Sequence, residues 1–440
     1  MEIETDLQTL KKRIHLALDL VAKANASAEV AAYLDQGLVV NVRQSAVDQV
    51  EFTRNHGFGI SVYLNGKKGS ASTSDFSEQA VGQAVAAALD IARYTAPDPC
   101  SGLADAGLMA REIVGLDLHH PWSLNTDQAI ELALACESAG LGQPHIENSD
   151  GASVATVESA RAYGNSHGLV VAYPQTRHSL GCALIAKDSE SMERGGWSQS
   201  HCDATQLPKA EFVGEKAAVR GASRLGSVSA PTGQYPVMFA AEIAGGLLGH
   251  FIAAISGGSL YRHASFLEEH LSKKVFPDWM NVWEEPQLVQ GVASSPIDGD
   301  GLATREKSFV DGGVLASYVL STYSGRKLGM DSTANAGGVR NLRCSHSHEY
   351  KELLKQMGRG LLVTQVMGQG VNIVSGHYSR GAAGFWVENG EIQYPVSEIT
   401  IAGNLQDMFK NLVGVADDVD ARGNIQVGSI LVEAMTVAGK

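Results

Sequence analysis

The sequence predicts an α+β protein, with an α/β N-terminal domain followed by a β-rich C-terminal domain that has few helices. Three observations lead there. The chain has 440 residues, more than one ordinary core accommodates, so two domains are expected. Its first half alternates helical and strand patterns, whereas its second half consists mainly of β-rich runs separated by glycine turns. Between them Ser227 to Pro236, small and polar with two prolines, reads as a linker that divides the chain into residues 1–226 and 237–440.

The elements follow in order. Leu7, Leu10, Ile14, Leu18 and Val21 recur at spacings of three and four and predict a first amphipathic helix, with Thr5 and Gln8 as its capping box. Leu38–Val42, Gln49–Arg54, Gly59–Leu64 and Lys68–Thr73 read as strands, the last two joined by Asn65-Gly66, a dipeptide suited to a tight left-handed hairpin turn. Val81, Val85, Leu89 and Ala92 line a second helix that stops before Pro97-Asp98-Pro99, and a third is expected over Asp127–Ser138. His119-His120-Pro121 reads as the end of a strand. Short runs at 152–163, 168–177 and 179–186 follow, with turns at Asn148–Gly151 and Gly164–Gly168, and then a helix over Lys209–Leu225. In the second half, hairpins are expected about Asp311-Gly312 and Asn389-Gly390, and helices over Glu242–Ile255, His348–Met357 and Leu405–Leu412. No fixed-period repeat is present.

Composition removes several function classes. A formal net charge of −14 disfavours a grip on nucleic acid, which needs clustered Lys and Arg to displace phosphate counterions. No stretch approaches the roughly 20 apolar residues of a membrane span. The first residues are acidic and periodic where a signal peptide would be basic, so a cytoplasmic protein is expected. Cys100, Cys136, Cys182, Cys202 and Cys344 are odd in number and scattered, which points to reduced and mostly buried thiols.

The apolar run Tyr235–Ala254 carries the functional signal. It invites a search for a zinc helix, which needs two histidines and a glutamate close together. The candidate positions read Gly249, His250 and Ala254, leaving one imidazole. Other clusters have simpler readings. His346, His348 and Glu349 belong to a loop entering a helix, and His263 and His270 to a surface loop and helix. Asp298–Gly301 lacks the spaced oxygens of a calcium loop and reads as a turn. Gly57-Phe58-Gly59 lacks the third glycine of a nucleotide loop. Ser256, Gly257, Gly258 and Ser259 read either as a flexible turn or as a hinge that binds peptide.

Four segments, Tyr235–Leu267, Phe309–Gly329, Thr333–Leu342 and Val366–Leu405, together resemble the TldD/TldE peptidase family, on its TldE (PmbA) side. The resemblance covers essentially the whole chain. In that family the active branch carries His-Glu-x-x-x-His on the helix after the linker, with a cysteine near the C-terminus. Matched residue by residue, these fall on Gly249, His250 and Ala254; sliding by one places Phe251 and Ile255 at the remaining positions, and the last residues hold no cysteine. Two histidines five apart on a regular helix point about 140° apart, so the active motif needs a widened, π-like turn, whose backbone Gly and Ala can keep without binding metal.

The resemblance therefore implies a subunit with no catalytic or metal-ligating residue of its own. Zinc is expected in a TldD-like partner, with unfolded peptides, leader peptides or antitoxins as substrates. It leaves open an autonomous metallopeptidase using His250 or the His346/His348 pair, and a regulatory protein that modulates DNA gyrase through protein contacts. It also leaves open a homodimer when the chain is isolated.

Overall fold

The computed structural model describes residues 2–439. Six strands, β1 (Ser27–Arg43), β2 (Ala46–Leu64), β3 (Lys67–Thr73), β4 (Ile146–Asn165), β5 (Val170–Lys187) and β6 (Met192–His201), form one antiparallel sheet in the order β3-β2-β1-β4-β5-β6. Successive side chains on a strand alternate faces, and Val30, Leu34, Val40 and Val42 of β1 are buried on the same one. Four helices cover that face. α1 (Glu2–Lys23) and α2 (Glu78–Tyr94) lie over the first half of β1, and α3 (Thr126–Leu141) and α4 (Ala210–Ala222) over the second. α3 and α4 touch backbone to backbone: a Cβ on Gly214 would lie 1.9 Å from the Cys136 carbonyl oxygen.

Several boundaries differ from the sequence expectation, each for a local reason. α1 starts at Glu2, so Thr5 and Gln8 lie within it; Gln8 donates to Glu4 (3.1 Å), and the expected capping box does not form. β2 runs unbroken through Asn55-His56-Gly57, because the ring of Tyr33 covers Gly57 where a Cβ would sit 2.6 Å from it. β5 likewise passes through buried His178. Asn148–Gly151 is a pair of register shifts inside β4, with the turn confined to 166–168. His119-His120-Pro121 is irregular chain; it is tied to β5 through Thr176, whose N–H donates to the Leu118 carbonyl (2.9 Å) and whose hydroxyl accepts from His120 N–H (2.9 Å). The expected hairpin at Asn65-Gly66 is present, with φ of 53° and 74°.

The second half contains β7 (Gly233–Phe239), β8 (Val282–Glu284), β9 (Lys307–Asp311), β10 (Val314–Leu315), β11 (Leu342–Cys344) and β12 (Gly360–Met367). These are followed by β13 (Val371–Asn372), β14 (His377–Glu388), β15 (Glu391–Asn404), β16 (Leu412–Val415), β17 (Ile425–Gln426) and β18 (Ile430–Ala438). Five of them close on themselves: β7 pairs β12, β12 pairs β14, β14 pairs β15, β15 pairs β18 and β18 returns to β7. A smaller sheet runs β10-β9-β8-β11-β17.

The helices here are α5 (Ala241–Ala254), α6 (Gly257–Leu260), α7 (Thr322–Leu328), α8 (Tyr350–Met357) and α9 (Leu405–Lys410). α5 lies between barrel and small sheet. Its Leu247, Leu248 and Phe251 share one core with Phe239 and Val432 of the barrel and Val310 of the small sheet, which explains its almost wholly apolar sequence. The hairpin at Asn389-Gly390 is as expected, with φ of 52° and 74°. The other turns at Gly312-Gly313, one residue later than read, because Asp311 still pairs with Val314. Its second strand is also short: Val319 N–H donates instead to the Ile255 carbonyl after α5 (3.0 Å). Residues 227–236 run along the barrel, with Val228 and the Pro395–Ser397 backbone exchanging two hydrogen bonds of 3.1 Å.

All five thiols are free, but only Cys136 and Cys182 are buried; the other three are half-buried, so "mostly buried" does not hold. Among the described residues, no helix is long and apolar enough to cross a membrane.

Candidate functional site

α5 is regular throughout. Ile255 N–H reaches the Phe251 carbonyl four residues back (3.0 Å), so the widened turn that Gly and Ala are able to keep is not there. The three motif positions consequently diverge. Gly249 faces a cleft, its Cβ direction ending 3.7 Å from the Ile425 side chain. His250 is half-buried, edge-on to Tyr378 with ring centroids 6.0 Å apart. Ala254 is fully buried in the core. A zinc ion does not fit these three positions, since they offer one imidazole, with a cleft on one side and a packed core on the other.

The other sequence candidates stay apart from it. His348 Nδ1 bonds the hydroxyl of Ser347 (2.8 Å) in the loop before α8, and the Cys344 thiol is pushed up to about 12 by burial, far from thiolate chemistry. His263 contacts Glu268 in a run of turns without the expected helix. Asp298 is a turn residue, its carboxylate accepting from the N–H groups of Asp300, Leu302 and Ala336. Ser256 to Ser259 lead into α6 and pack inward: Gly257 and Ser259 are buried, and a Cβ on Gly257 would meet the Ser324 hydroxyl at 2.3 Å. These four residues line none of the clefts described below. Among the described residues, no group of three or more His, Cys, Asp or Glu is placed to hold a metal.

Three contiguous clefts, of about 860, 780 and 440 Å³, lie where the two halves meet. The walls of the two larger are the last residues of β6, the start of α5 and the loop 418–425 before and into β17, whereas the smallest lies over β1, β4, β5 and β6 and meets that loop only at Arg422. Small residues at Gly245, Gly246 and Gly249 leave the α5 wall open. Glu242 at the start of α5 pairs with Arg220 of α4, joining the halves across the opening.

Arg422 lines all three clefts. Its guanidinium lies 3.6 Å from the ring centroid of Trp197 on β6 and is held bidentately by Asp420, Nε to Oδ1 at 2.8 Å and Nη2 to Oδ2 at 2.6 Å. Its Nη1 donates to the Ser198 carbonyl (3.2 Å). Burial opposes the charge of Asp420, but the hydrogen bonds and charge of Arg422 outweigh it and hold the carboxyl below its ordinary range. Sequence reasoning missed this cluster. The only local signal was Asp420-Ala421-Arg422-Gly423, a short charged turn, and nothing in it announces a tryptophan more than two hundred positions away.

Beside the cleft, buried His178 bonds Thr156 through Nδ1 and the His120 carbonyl through Nε2, both at 2.8 Å. Donation from Nε2 to a carbonyl requires a proton on that nitrogen, and in the neutral ring Nδ1 then accepts from the Thr156 hydroxyl. Burial depresses the pKa of His178, and burial together with nearby Arg380 depresses that of His250. The unfolded chain therefore takes up these protons first, near the ordinary value of 6.5, and stability is lost as pH falls below it. We expect the thermal midpoint to drop between about pH 7.5 and pH 5.5, and His178→Gln to flatten that dependence. A midpoint independent of pH over this interval would contradict the assignment.

Comparison with known proteins places this architecture. Sequence profiles of the PmbA/TldA metallopeptidase family match domain 1 at residues 28–92, the central domain at 119–225 and the C-terminal domain at 232–439. The chain is 48% identical to the metalloprotease PmbA homolog of Haemophilus influenzae, over 98% of this chain and 96% of that one. It is 45% identical to the metalloprotease PmbA of Escherichia coli O157:H7, over 100% and 98%. A solved structure from Bacteroides thetaiotaomicron, provisionally assigned as a modulator of DNA gyrase, superposes with a TM-score of 0.91 at 28% identity, covering 98% of this chain and 99% of that one. TldE from Thermococcus kodakarensis, at 18% identity, shares the fold with a TM-score of 0.83 over 98% and 100%. The match spans both halves, the cleft between them and the α5 helix that lines it, and the chain belongs to the PmbA/TldD metallopeptidase family.

Proposed function

We propose that this chain is the non-catalytic, TldE-like subunit of a heteromeric, cytoplasmic zinc peptidase. A TldD-like partner brings the zinc and the general base, and this chain completes the chamber and holds an unfolded peptide, such as a leader peptide or an antitoxin, in extended form. The observation that carries the reading is the divergence of Gly249 and Ala254 on a regular helix, one in a cleft and the other in the core. Holding substrate needs a grip tolerant of sequence, and main-chain pairing with a sheet edge supplies one. Ring closure gives each of the five barrel strands a partner on both sides over part of its length. β6 ends the first sheet, and its last residues lie in the cleft.

The test is an assay of the purified chain on a flexible, fluorescently labelled peptide, with and without a TldD-like subunit, alongside metal analysis of both preparations. Cleavage is expected from the pair alone, with zinc in the partner. Zinc-dependent cleavage by this chain alone would sink the assignment and favour an autonomous peptidase. Retention of a gyrase subunit, but no peptidase subunit, in a pull-down would move the reading to a regulatory role.

A further inference from the structure

The outer edge of β6 is partly occupied by side chains from this same protein. Arg224 donates to the Arg194 carbonyl, and Arg422 to that of Ser198. In an antiparallel ladder alternate residues turn their N–H and C=O away from the neighbouring strand. Residues 194 and 198 are of the outward set, so Gly196 and Ser200 are as well. Among the described residues, no group outside the ladder bonds the backbone of these two. The clefts run along this stretch: one borders Gly196 to Ser198, another Ser198 to Ser200 and the largest Gln199 to His201. Arg422 is the residue common to all three and stands where they would otherwise join.

We infer that Arg422, stacked on Trp197 and clamped by Asp420, is a displaceable plug on the β6 edge, which an extended peptide must push aside in order to pair with Gly196, Ser198 and Ser200. The inference rests on the reading of this cleft as a peptide site. In the free protein Arg422 satisfies the Ser198 carbonyl; on binding, a peptide N–H takes over that carbonyl and the guanidinium keeps its two hydrogen bonds to Asp420 as the loop swings. The occupant is an unfolded main chain, because what the edge offers is a row of backbone donors and acceptors with the spacing of a strand. Displacing the arginine also uncovers the indole face of Trp197, a surface suited to an apolar or aromatic peptide side chain. The plug has a reason to exist. An open strand edge invites pairing with other copies of the chain, and a charged side chain laid across it is a common safeguard.

The experiment measures binding of a fluorescein-labelled, unfolded casein to the full chain by anisotropy, for wild type, Arg422→Ala, Asp420→Asn and Gly196→Pro, with thermal unfolding of each as a fold check. Removing the plug deletes one competing hydrogen bond, so Arg422→Ala is expected to bind about 5-fold tighter, since such a bond is worth about 1 kcal/mol net. Asp420→Asn, which loosens the clamp, should tighten binding less. Gly196→Pro removes an outward N–H from an edge position with room for a side chain, its nearest neighbours being 3.6 Å and 4.0 Å away, and should abolish binding. Unchanged or weaker binding by Arg422→Ala, with Gly196→Pro still inactive, overturns the plug while the peptide edge stands. Wild-type binding by a folded Gly196→Pro overturns the edge itself, and the plug with it.

Discussion

Writing the active family's motif back into α5, as Gly249→His, His250→Glu and Ala254→His together, is expected to produce a protein that retains no zinc after dialysis. Positions five apart on a regular helix differ by about 140° in direction, and here that angle separates solvent from core. Gly249 has open space up to the Ile425 side chain, whereas Ala254 is fully buried. Bringing both imidazoles to one ion needs a π-like turn, which the Ile255 to Phe251 hydrogen bond opposes. A histidine at 254 also meets a packed apolar core without a partner. Overpacking and an unsatisfied polar group together predict a loss of about 2–6 kcal/mol for Ala254→His alone. Elemental analysis and urea unfolding read both effects, and one zinc retained per chain would show that the helix re-forms the site after all.

A comparably large effect is expected at Glu284, which has only 1% of its surface exposed at the end of β8. Its Oε1 accepts from Lys307 Nζ (2.5 Å) and Asn335 Nδ2 (2.8 Å), and its Oε2 from the Arg340 N–H (2.9 Å). Burial pushes the Lys307 pKa down, and the Glu284 charge pulls it part of the way back. Glu284→Ala removes the counter-charge of that ammonium, leaving it the neutral Asn335 Oδ1 (3.1 Å), and takes the acceptor from the Arg340 N–H, and should lower stability by about 3–5 kcal/mol. The double variant Glu284→Leu, Lys307→Met should lose clearly less than the single one, because it removes the orphaned charge as well as its partner. Equal losses from the single and double variants in denaturant titrations would show that packing, and not charge, dominates the site.

Much of the architecture was legible where periodicity and turn chemistry act locally. The burial of Val81, Val85, Leu89 and Ala92 follows from their spacing, and the two Asn-Gly hairpins follow from the left-handed backbone those residues accept. Strand lengths were not legible. β2 crosses Asn55-His56-Gly57 because of a ring on a neighbouring strand, and the turn after Arg43 uses Gln44 and Ser45 at φ of 53° and 60°, residues that carry no turn signal. The site divides the same way. Loss of the ligands could be read from Gly249, His250 and Ala254 by identity, since glycine and alanine have no donor atoms. Position could not: that one of them faces a cleft and another the core depends on α5 lying between two sheets. Arg422 and Trp197 meet only through tertiary folding, and no spacing rule connects them.

Closure of the barrel bears on how the molecule is made. β7 opens the second half and β18 comes last among its strands, yet the two lie side by side, with β18 also joined to β15 and β16. During synthesis the first sheet and its helices can assemble as soon as residues up to about α4 have emerged, because their contacts lie wholly within that span. The barrel has no such option. Until β18 arrives, β7 and β15 are unfinished neighbours and the apolar α5 lacks Val432 and Val437 in its surrounding core. The nascent second half must therefore wait, exposed, for its final strand, which makes it the part of the chain most in need of protection by chaperones before release.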